Sequence, residues 1–109
     1  MDYQPASLDG VFQALADPTR RAVIGRLGEG AASISDLAAP FDMALPSFMK
    51  HIHALEGAGL IRTAKRGRVR TCALERRGLA VAETWLDEQR RLWEGRADRL
   101  AAFVTGDDR

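Results

Sequence analysis

The chain has 109 residues, a length that suits one small domain burying about 60 to 70% of its unfolded surface. A hydrophobic content of 46% and a charged content of 28% are ordinary for a soluble globular protein, which excludes the disordered and fibrous classes. The net charge of +1 argues against a protein that coats nucleic acid or membrane over its whole surface, and the single cysteine, Cys72, excludes an intrachain disulfide.

Two helices are predicted at the start of the chain. Apolar residues between Leu8 and Leu15 recur at helical spacing and indicate a short first helix. Asp17 is a preferred N-cap and Pro18 suits the first helical position, so a second helix is expected from there to about Leu27. The segment "EGAAS" then ends it.

A helix-turn-helix is predicted in the middle of the chain. A serine, Ser33 or Ser35, caps a very short third helix, and Pro40 prevents this helix from continuing far. The fourth helix is expected over about Leu45 to Ala58, after a turn of about four residues, "PFDM". A left-handed glycine, at position 57 or 59, stops it.

The fourth helix has an apolar face and a polar face. Phe48, Ile52 and Leu55 share one side at helical spacing and are predicted to be core. Lys50 and the two histidines, at positions 51 and 53, point elsewhere. The fourth helix is therefore expected to expose a polar, partly basic surface, and this surface is a candidate binding site.

A basic hairpin is predicted after this helix. The strand-like runs "LIRTAK" and "RVRTCAL" meet at "RGR", where Gly67 can take the positive φ of a tight turn. Between Arg62 and Arg77 there are seven basic residues against one acidic residue, a local excess of +6. Cys72, inside the second strand, is interpreted as a small buried apolar residue, with a redox or metal role as the alternative.

A long helix is predicted from Gly78 to Val104. Its main stripe steps by four and three residues and comprises Ala82, Leu86, Gln89, Trp93, Arg96, Leu100 and Phe103. Trp85 and Leu92 lie on an adjoining stripe. We predict that one stripe packs on the chain's own domain and the other on a second subunit, the alternative being a single wide core face.

Enzymatic function is not expected. The chain has no glycine-rich phosphate loop, G-x-S-x-G elbow, H-E-x-x-H helix or Cys/His cluster. His51 and His53 are two residues apart on a helix and point apart, so they cannot hold one metal ion within one chain. We therefore predict no catalytic residue, no cofactor and no metal site.

A cytoplasmic location is expected. The first residues, "MDYQPASLDG", lack the basic and apolar regions of a secretory signal. No apolar run approaches the length of a membrane span, so no membrane partner is expected. A single cysteine suits a reducing compartment.

The order helix, turn, helix, basic hairpin is typical of a winged helix. In that arrangement the second helix enters the major groove, while the hairpin tip, with Arg66 and Arg68 beside its glycine, reaches flanking phosphates. Taken alone, a basic hairpin can equally be a solvated edge that deters strand pairing. A winged-helix module that binds another protein, without specific DNA binding, is the alternative function.

Several motifs in this order resemble one family, the ArsR-type (ArsR/SmtB) winged-helix transcriptional regulators. They are Asp17-Pro18-Thr19-Arg20, Leu37-Ala38, Lys50-His51-Ile52 and Leu55-Glu56-x-Ala58-Gly59-Leu60, followed by the wing "KRGRVRTCAL". The resemblance covers roughly residues 8 to 104. It implies a homodimer that binds an operator near its own promoter and usually represses until an effector, unknown here, loosens it.

The resemblance also implies the binding residues. Its recognition helix begins near Leu45, and the matching DNA-contact positions are Ser47, Met49, Lys50, His51, Arg66 and Arg68. For His51, a hydrogen bond that only positions the helix is the alternative. The predicted dimer contacts are Leu86, Gln89, Trp93, Leu100 and Phe103.

The chain departs from the family pattern at several positions. Metal-sensing members carry Cys-x-Cys in the third helix, whereas this chain has Ser33-Ile34-Ser35 and no histidine in its last helix. We therefore assign it to a branch without the metal-sensing cysteines. Asp42 replaces the usual turn glycine, and Ala44 replaces the usual N-cap serine.

We thus predict one mainly α-helical winged helix-turn-helix domain over 1–109, with a small β-hairpin and helical dimerisation elements at both ends. Its core and wing span 8–77, and its dimerisation helix spans 78–104. The predicted function is sequence-specific DNA binding by a homodimeric repressor.

Overall fold

The computed structural model describes residues 6–105, apart from the side chains at positions 97, 102 and 105. The elements along this stretch are α1 (Leu8–Leu15), α2 (Pro18–Leu27), β1 (Ala32–Ser33), α3 (Ile34–Ala38), α4 (Leu45–Gly57), β2 (Ile61–Arg66), β3 (Val69–Leu74) and α5 (Arg76–Thr105). This architecture confirms the predicted winged helix-turn-helix. Both ends of the predicted 1–109 domain, 1–5 and 106–109, lie outside the described residues.

Two of the predicted helix caps are present. Asp17 Oδ2 accepts a hydrogen bond of 3.1 Å from the Arg20 N–H, and Pro18 follows as the first residue of α2. Ser33, the first of the two candidate serines, accepts one of 3.1 Å from the Asp36 N–H and caps α3. These local signals fix where α2 and α3 begin.

The core is built around α4. Phe48, Ile52 and Leu55 are fully buried, as predicted. The other large side chains buried to a similar degree are Val11, Val23, Leu60, Ile61 and Cys72. Burying each large apolar side chain contributes about 1.5–3 kcal/mol, so the inner face of α4 holds the surrounding helices and the sheet together.

The two ends of α4 are built differently. Its N-cap, Ala44, makes no side-chain hydrogen bond, so the predicted loss of the serine cap is not offset by Asp42. Every non-glycine residue between 6 and 105 has a negative φ, so Asp42 does not adopt the left-handed conformation of a turn glycine. At the other end Gly59, with φ of 75°, and the Leu60 N–H bonded to the Leu55 carbonyl form a Schellman cap.

The sheet has one strand more than predicted. The hairpin of β2 and β3 pairs Arg66 with Val69 across a two-residue turn that starts with Gly67, whose φ is 59°. A positive-φ glycine at the first turn position is typical of a type II′ turn. However, β1 also pairs antiparallel with β3, placing Ala32 opposite Cys72. The predicted hairpin is therefore confirmed, and β1 is an additional strand that the sequence did not reveal, because two residues show no alternation pattern.

The last helix starts two residues earlier than the predicted Gly78. A hydrogen bond connects its first turn to the end of α4. The Gly78 N–H donates a 2.8 Å hydrogen bond to the Gly59 carbonyl oxygen. The 30 residues of α5 rise about 45 Å, and the longest dimension of the molecule is 70 Å. Although α5 is long, no helix within residues 6–105 is apolar enough to cross a membrane.

The apolar face of α5 is divided along its length. Leu79 and Ala82 pack on the core, and Trp85 meets Phe12 of α1 edge-on, with ring centroids 5.7 Å apart. Leu86 continues the same face at helical spacing but is exposed, like the apolar residues beyond it. The first third of the helix therefore packs on the chain's own domain. The sequence had predicted that a separate stripe along the whole helix would make this contact.

Candidate nucleic-acid interface

The outer ridge of α4 is exposed and polar. Pro46, Lys50, His53 and Gly57 recur at helical spacing opposite the buried face, and all are exposed. Ser47, beside this ridge, is exposed as well. Lys50 and Ser47 thus lie where the sequence predicted, whereas His53 was missing from the predicted set although it lies three residues after Lys50 on the same face.

Met49 and His51 lie on the flanks of α4. Met49 is half-buried and packs against the edge of the core. His51 is half-buried too, and its Nδ1 lies 3.7 Å from Asp17 Oδ2. The hydrogen bond from the Arg20 N–H lowers the pKa of the Asp17 carboxyl, and His51 acts in the same direction. This geometry favours the interpretation of His51 as a residue that positions α4 against α2.

The tip of the wing carries a cluster of exposed cations. Lys65, Arg66, Arg68 and Arg70 are exposed. Within the described part of the chain, none of the four has a carboxylate oxygen within 4.0 Å. They lie on both strands and on the turn itself, so the positive charge is concentrated at the end of the hairpin.

At the base of the hairpin, in contrast, the basic residues are paired. Arg62 Nη1 lies 3.1 Å from Glu75 Oε1, and Arg77 Nε lies 4.0 Å from Glu75 Oε2. One carboxylate therefore offsets two of the seven basic residues in the predicted cluster, and the tip remains positively charged.

A hydrogen-bond chain connects the wing to α4. Arg70 Nη1 donates to Thr63 Oγ1 over 3.0 Å, and Thr63 Oγ1 donates to Glu56 Oε2 over 3.1 Å. These bonds join β3, β2 and the last turn of α4. They favour one orientation of the hairpin relative to the recognition helix.

A groove of about 340 Å³ lies between the wing and the start of α4. Its lining residues are Ser33, Ile34, Ser35, Leu45, Met49, Arg68, Val69 and Arg70. Leu45 is 56% exposed and Val69 is 52% exposed, so exposed apolar side chains share the lining with serines and arginines. Sequence reasoning did not identify either residue as part of the site.

The predicted dimer residues lie on α5, mostly beyond its contact with α1. Leu86, Trp93 and Leu100 are exposed, and Phe103 is 81% exposed, whereas Gln89 is half-buried. Their spacing puts them on one face. This apolar face is not covered by the described residues of its own chain.

Neither Ser33, at a position where metal-sensing members of the resembled family carry cysteine, nor Cys72 of β3 offers a ready thiolate. The Ser33 hydroxyl accepts the cap hydrogen bond of α3. Cys72 is buried in β3, and burial raises the pKa of its thiol, with the Glu56 carboxylate adding to the effect. Among residues 6–105, no three His, Cys, Asp or Glu side chains converge in a way that could hold a metal ion.

Comparisons with known proteins agree with this geometry. Residues 15–64 match a family model described as a helix-turn-helix domain. The HTH-type transcriptional regulator Rv2034 of Mycobacterium tuberculosis is 35% identical over 104 residues, 94% of each chain. The transcriptional repressor SdpR of Bacillus subtilis is 29% identical over 79 residues, 72% of this chain and 88% of its own.

A solved structure is similar over most of the chain. The crystal structure of the ArsR family transcriptional regulator RHA00566 shares 68% sequence identity with this chain and superposes with a TM-score of 0.77. The match covers 80% of this chain and 96% of that one.

Proposed function

This chain belongs to the ArsR family of winged helix-turn-helix transcriptional regulators, and we propose that it is a homodimeric repressor that binds a double-stranded DNA operator. The observation that carries this proposal is the exposed ridge of α4 beside an unpaired basic wing tip. Both features lie on parts of the fold that have no core role. The regulator would act in the cytoplasm.

In the proposed complex, α4 lies in the major groove and the wing contacts the flanking backbone. Lys50 and Ser47 project from the exposed side of α4, where they can reach base edges or phosphates. Met49, on the flank, lines the groove between α4 and the wing, and His51, beside Asp17, positions α4. Arg66 and Arg68 bind phosphate and fix the register without reading sequence.

We propose that a second copy of the chain covers the apolar face of α5. Trp93 is 58% exposed and Leu100 is 63% exposed, and a helix that leaves such side chains in water gains by pairing them. In a two-fold dimer the same face of each copy meets the other, so one stripe serves both subunits. Gln89 and Arg96 lie on this seam and supply polar contacts to acidic residues of the partner.

Repression is the proposed outcome of operator binding. A dimer that occupies an operator near its own promoter excludes the transcription machinery from that DNA. The similarity to a relative named as a repressor supports this direction of control. We further propose that the effector releasing the DNA is not a metal ion, because serines stand at 33 and 35.

Selection of bound duplexes from a random pool tests this function. A two-fold symmetric dimer predicts an enriched palindrome whose half-sites lie about 10 bp apart, or a multiple of that distance. If duplexes are captured regardless of their sequence and none is enriched, the protein is not a specific regulator. That result would favour a module that binds another protein.

A further inference from the structure

We propose that the groove between α4 and the wing reads thymine through its 5-methyl group, an inference that rests on the proposed function. Leu45 is the first residue of α4, and Val69 is the first residue after the wing turn. Both line the groove of about 340 Å³, together with Met49. Ile34 of α3 lines it as well, so four apolar side chains from three separate elements share one opening on the surface proposed to face DNA.

The exposure of Leu45 and Val69 is unusual within this molecule. Ten large apolar side chains are exposed among the described residues, and eight of them lie on α1 or α5. The remaining two are Leu45 and Val69, at 56% and 52% exposure. Pairing of α5 between subunits accounts for most of the eight, but these two lie on other elements and need another explanation.

Their position in the fold is suited to reading bases. In helix-turn-helix docking, the N-terminal residues of the recognition helix are the ones that contact base edges. Leu45 begins α4, and Met49 follows four residues later on the same face. Val69 belongs to β3, so a group that enters the groove meets apolar atoms of both α4 and the wing.

The apolar side chains that line the groove favour thymine over the other bases. Every base presents a hydrogen-bonding group in the major groove, including O4 of thymine, but only thymine adds a methyl group. With another base at this position that methyl group is absent, and the exposed apolar atoms of Leu45 and Val69 stay in contact with water. Arg68, which also lines the groove, binds an adjacent phosphate and keeps the base edge at the groove.

Replacing thymine by deoxyuridine, which lacks only this methyl group, tests the inference. Each thymine of a duplex obtained by selection is replaced in turn, and affinity is measured by fluorescence anisotropy. Replacement at the position facing the groove in one half-site should weaken binding about fourfold, the effect of losing one buried methyl-sized group. Replacement in the flanks should have no effect and serves as the control.

Two variants connect the effect to the named side chains. Leu45→Ala and Val69→Thr should each bind the thymine duplex several-fold more weakly and respond less to deoxyuridine than the unmodified protein. Val69→Thr keeps the branched shape and strand preference of valine, and circular dichroism verifies that both variants are folded.

The results distinguish a failure of the thymine contact from a failure of the proposed function. If a selected duplex binds tightly but deoxyuridine has no effect at any position, this inference is overturned and the proposed function stands. The same holds if both variants keep the full response to deoxyuridine. If no duplex binds in a salt-dependent manner, the proposed function fails and the thymine contact fails with it.

Discussion

The Gly78 N–H donates a 2.8 Å hydrogen bond to the Gly59 carbonyl oxygen, joining the first turn of α5 to the turn that ends α4. A Cβ atom at position 78 would lie 2.7 Å from the carbonyl oxygen of Ala58 and 2.8 Å from that of Gly59. Both are backbone atoms, so no side chain can move aside. A shift of the long helix relative to the recognition helix must deform this contact.

We predict that Gly78→Ala destabilises the protein by about 1–3 kcal/mol, the usual cost of overpacking. Urea unfolding at a fixed protein concentration measures the difference in the free energy of unfolding. Gly25→Ala is the control, because a Cβ there meets no atom within 4 Å and alanine favours the helix interior by about 0.5–1 kcal/mol. Equal stability of the Gly78 variant and the unmodified protein would contradict the tight contact.

Leu100→Glu is expected to dissociate the proposed dimer. The variant puts a charge into the apolar face twice per dimer, once from each subunit, and the lost burial of two leucines should raise the dimer Kd about a hundredfold or more. Sedimentation measures the association. Thr84→Glu makes the same charge change on the opposite side of α5 and should leave the dimer intact. A dimer that survives Leu100→Glu would place the subunit interface elsewhere.

Arg66→Glu combined with Arg68→Glu should abolish specific DNA affinity while the dimer persists. Loss of two phosphate contacts per subunit should also lower the slope of log affinity against log salt by about four per dimer. Arg21→Glu with Arg26→Glu changes the net charge equally but on α2, and it should bind DNA almost normally. Unchanged binding by the wing variant would refute the wing assignment.

Stoichiometric Zn(II) or As(III) should not release the protein from DNA. The Ser33 hydroxyl is occupied as a helix cap, and the thiol of Cys72 is buried with its pKa raised, which disfavours the thiolate that soft metals require. Anisotropy of the bound duplex, with a chelator added in a parallel sample, measures release. Clear dissociation by either ion, reversed by the chelator, would show that a metal site exists.

The parts of the fold that depend on residues close together in the sequence could be predicted. Asp17-Pro18 marks the start of α2, and the spacing of Phe48, Ile52 and Leu55 identifies the buried face of α4. Gly67 marks the wing turn. By contrast, β1 could not be predicted, since it exists through pairing with a strand some forty residues away in sequence, as the register of Ala32 with Cys72 shows.

The candidate site was predictable only in part, for a similar reason. Lys50 follows from its place opposite the buried face, but the sequence could not distinguish His51 from His53. Their surroundings depend on where α2 packs, and in the structure His51 lies beside Asp17 while His53 is exposed. Leu45 and Val69 are apolar, and an apolar residue suggests core until the fold shows that it is exposed.

The proposed function depends on specific, salt-dependent binding of the protein to DNA. Fluorescence anisotropy compares the DNA upstream of the protein's own gene with scrambled DNA of equal length across a salt series. We predict tight binding to the upstream DNA alone, with log affinity falling steeply in log salt, as about 6 to 10 phosphate contacts per dimer require. Weak and equal binding to both duplexes, with little dependence on salt, would contradict a DNA-binding regulator and indicate that α4 and the wing bind another protein.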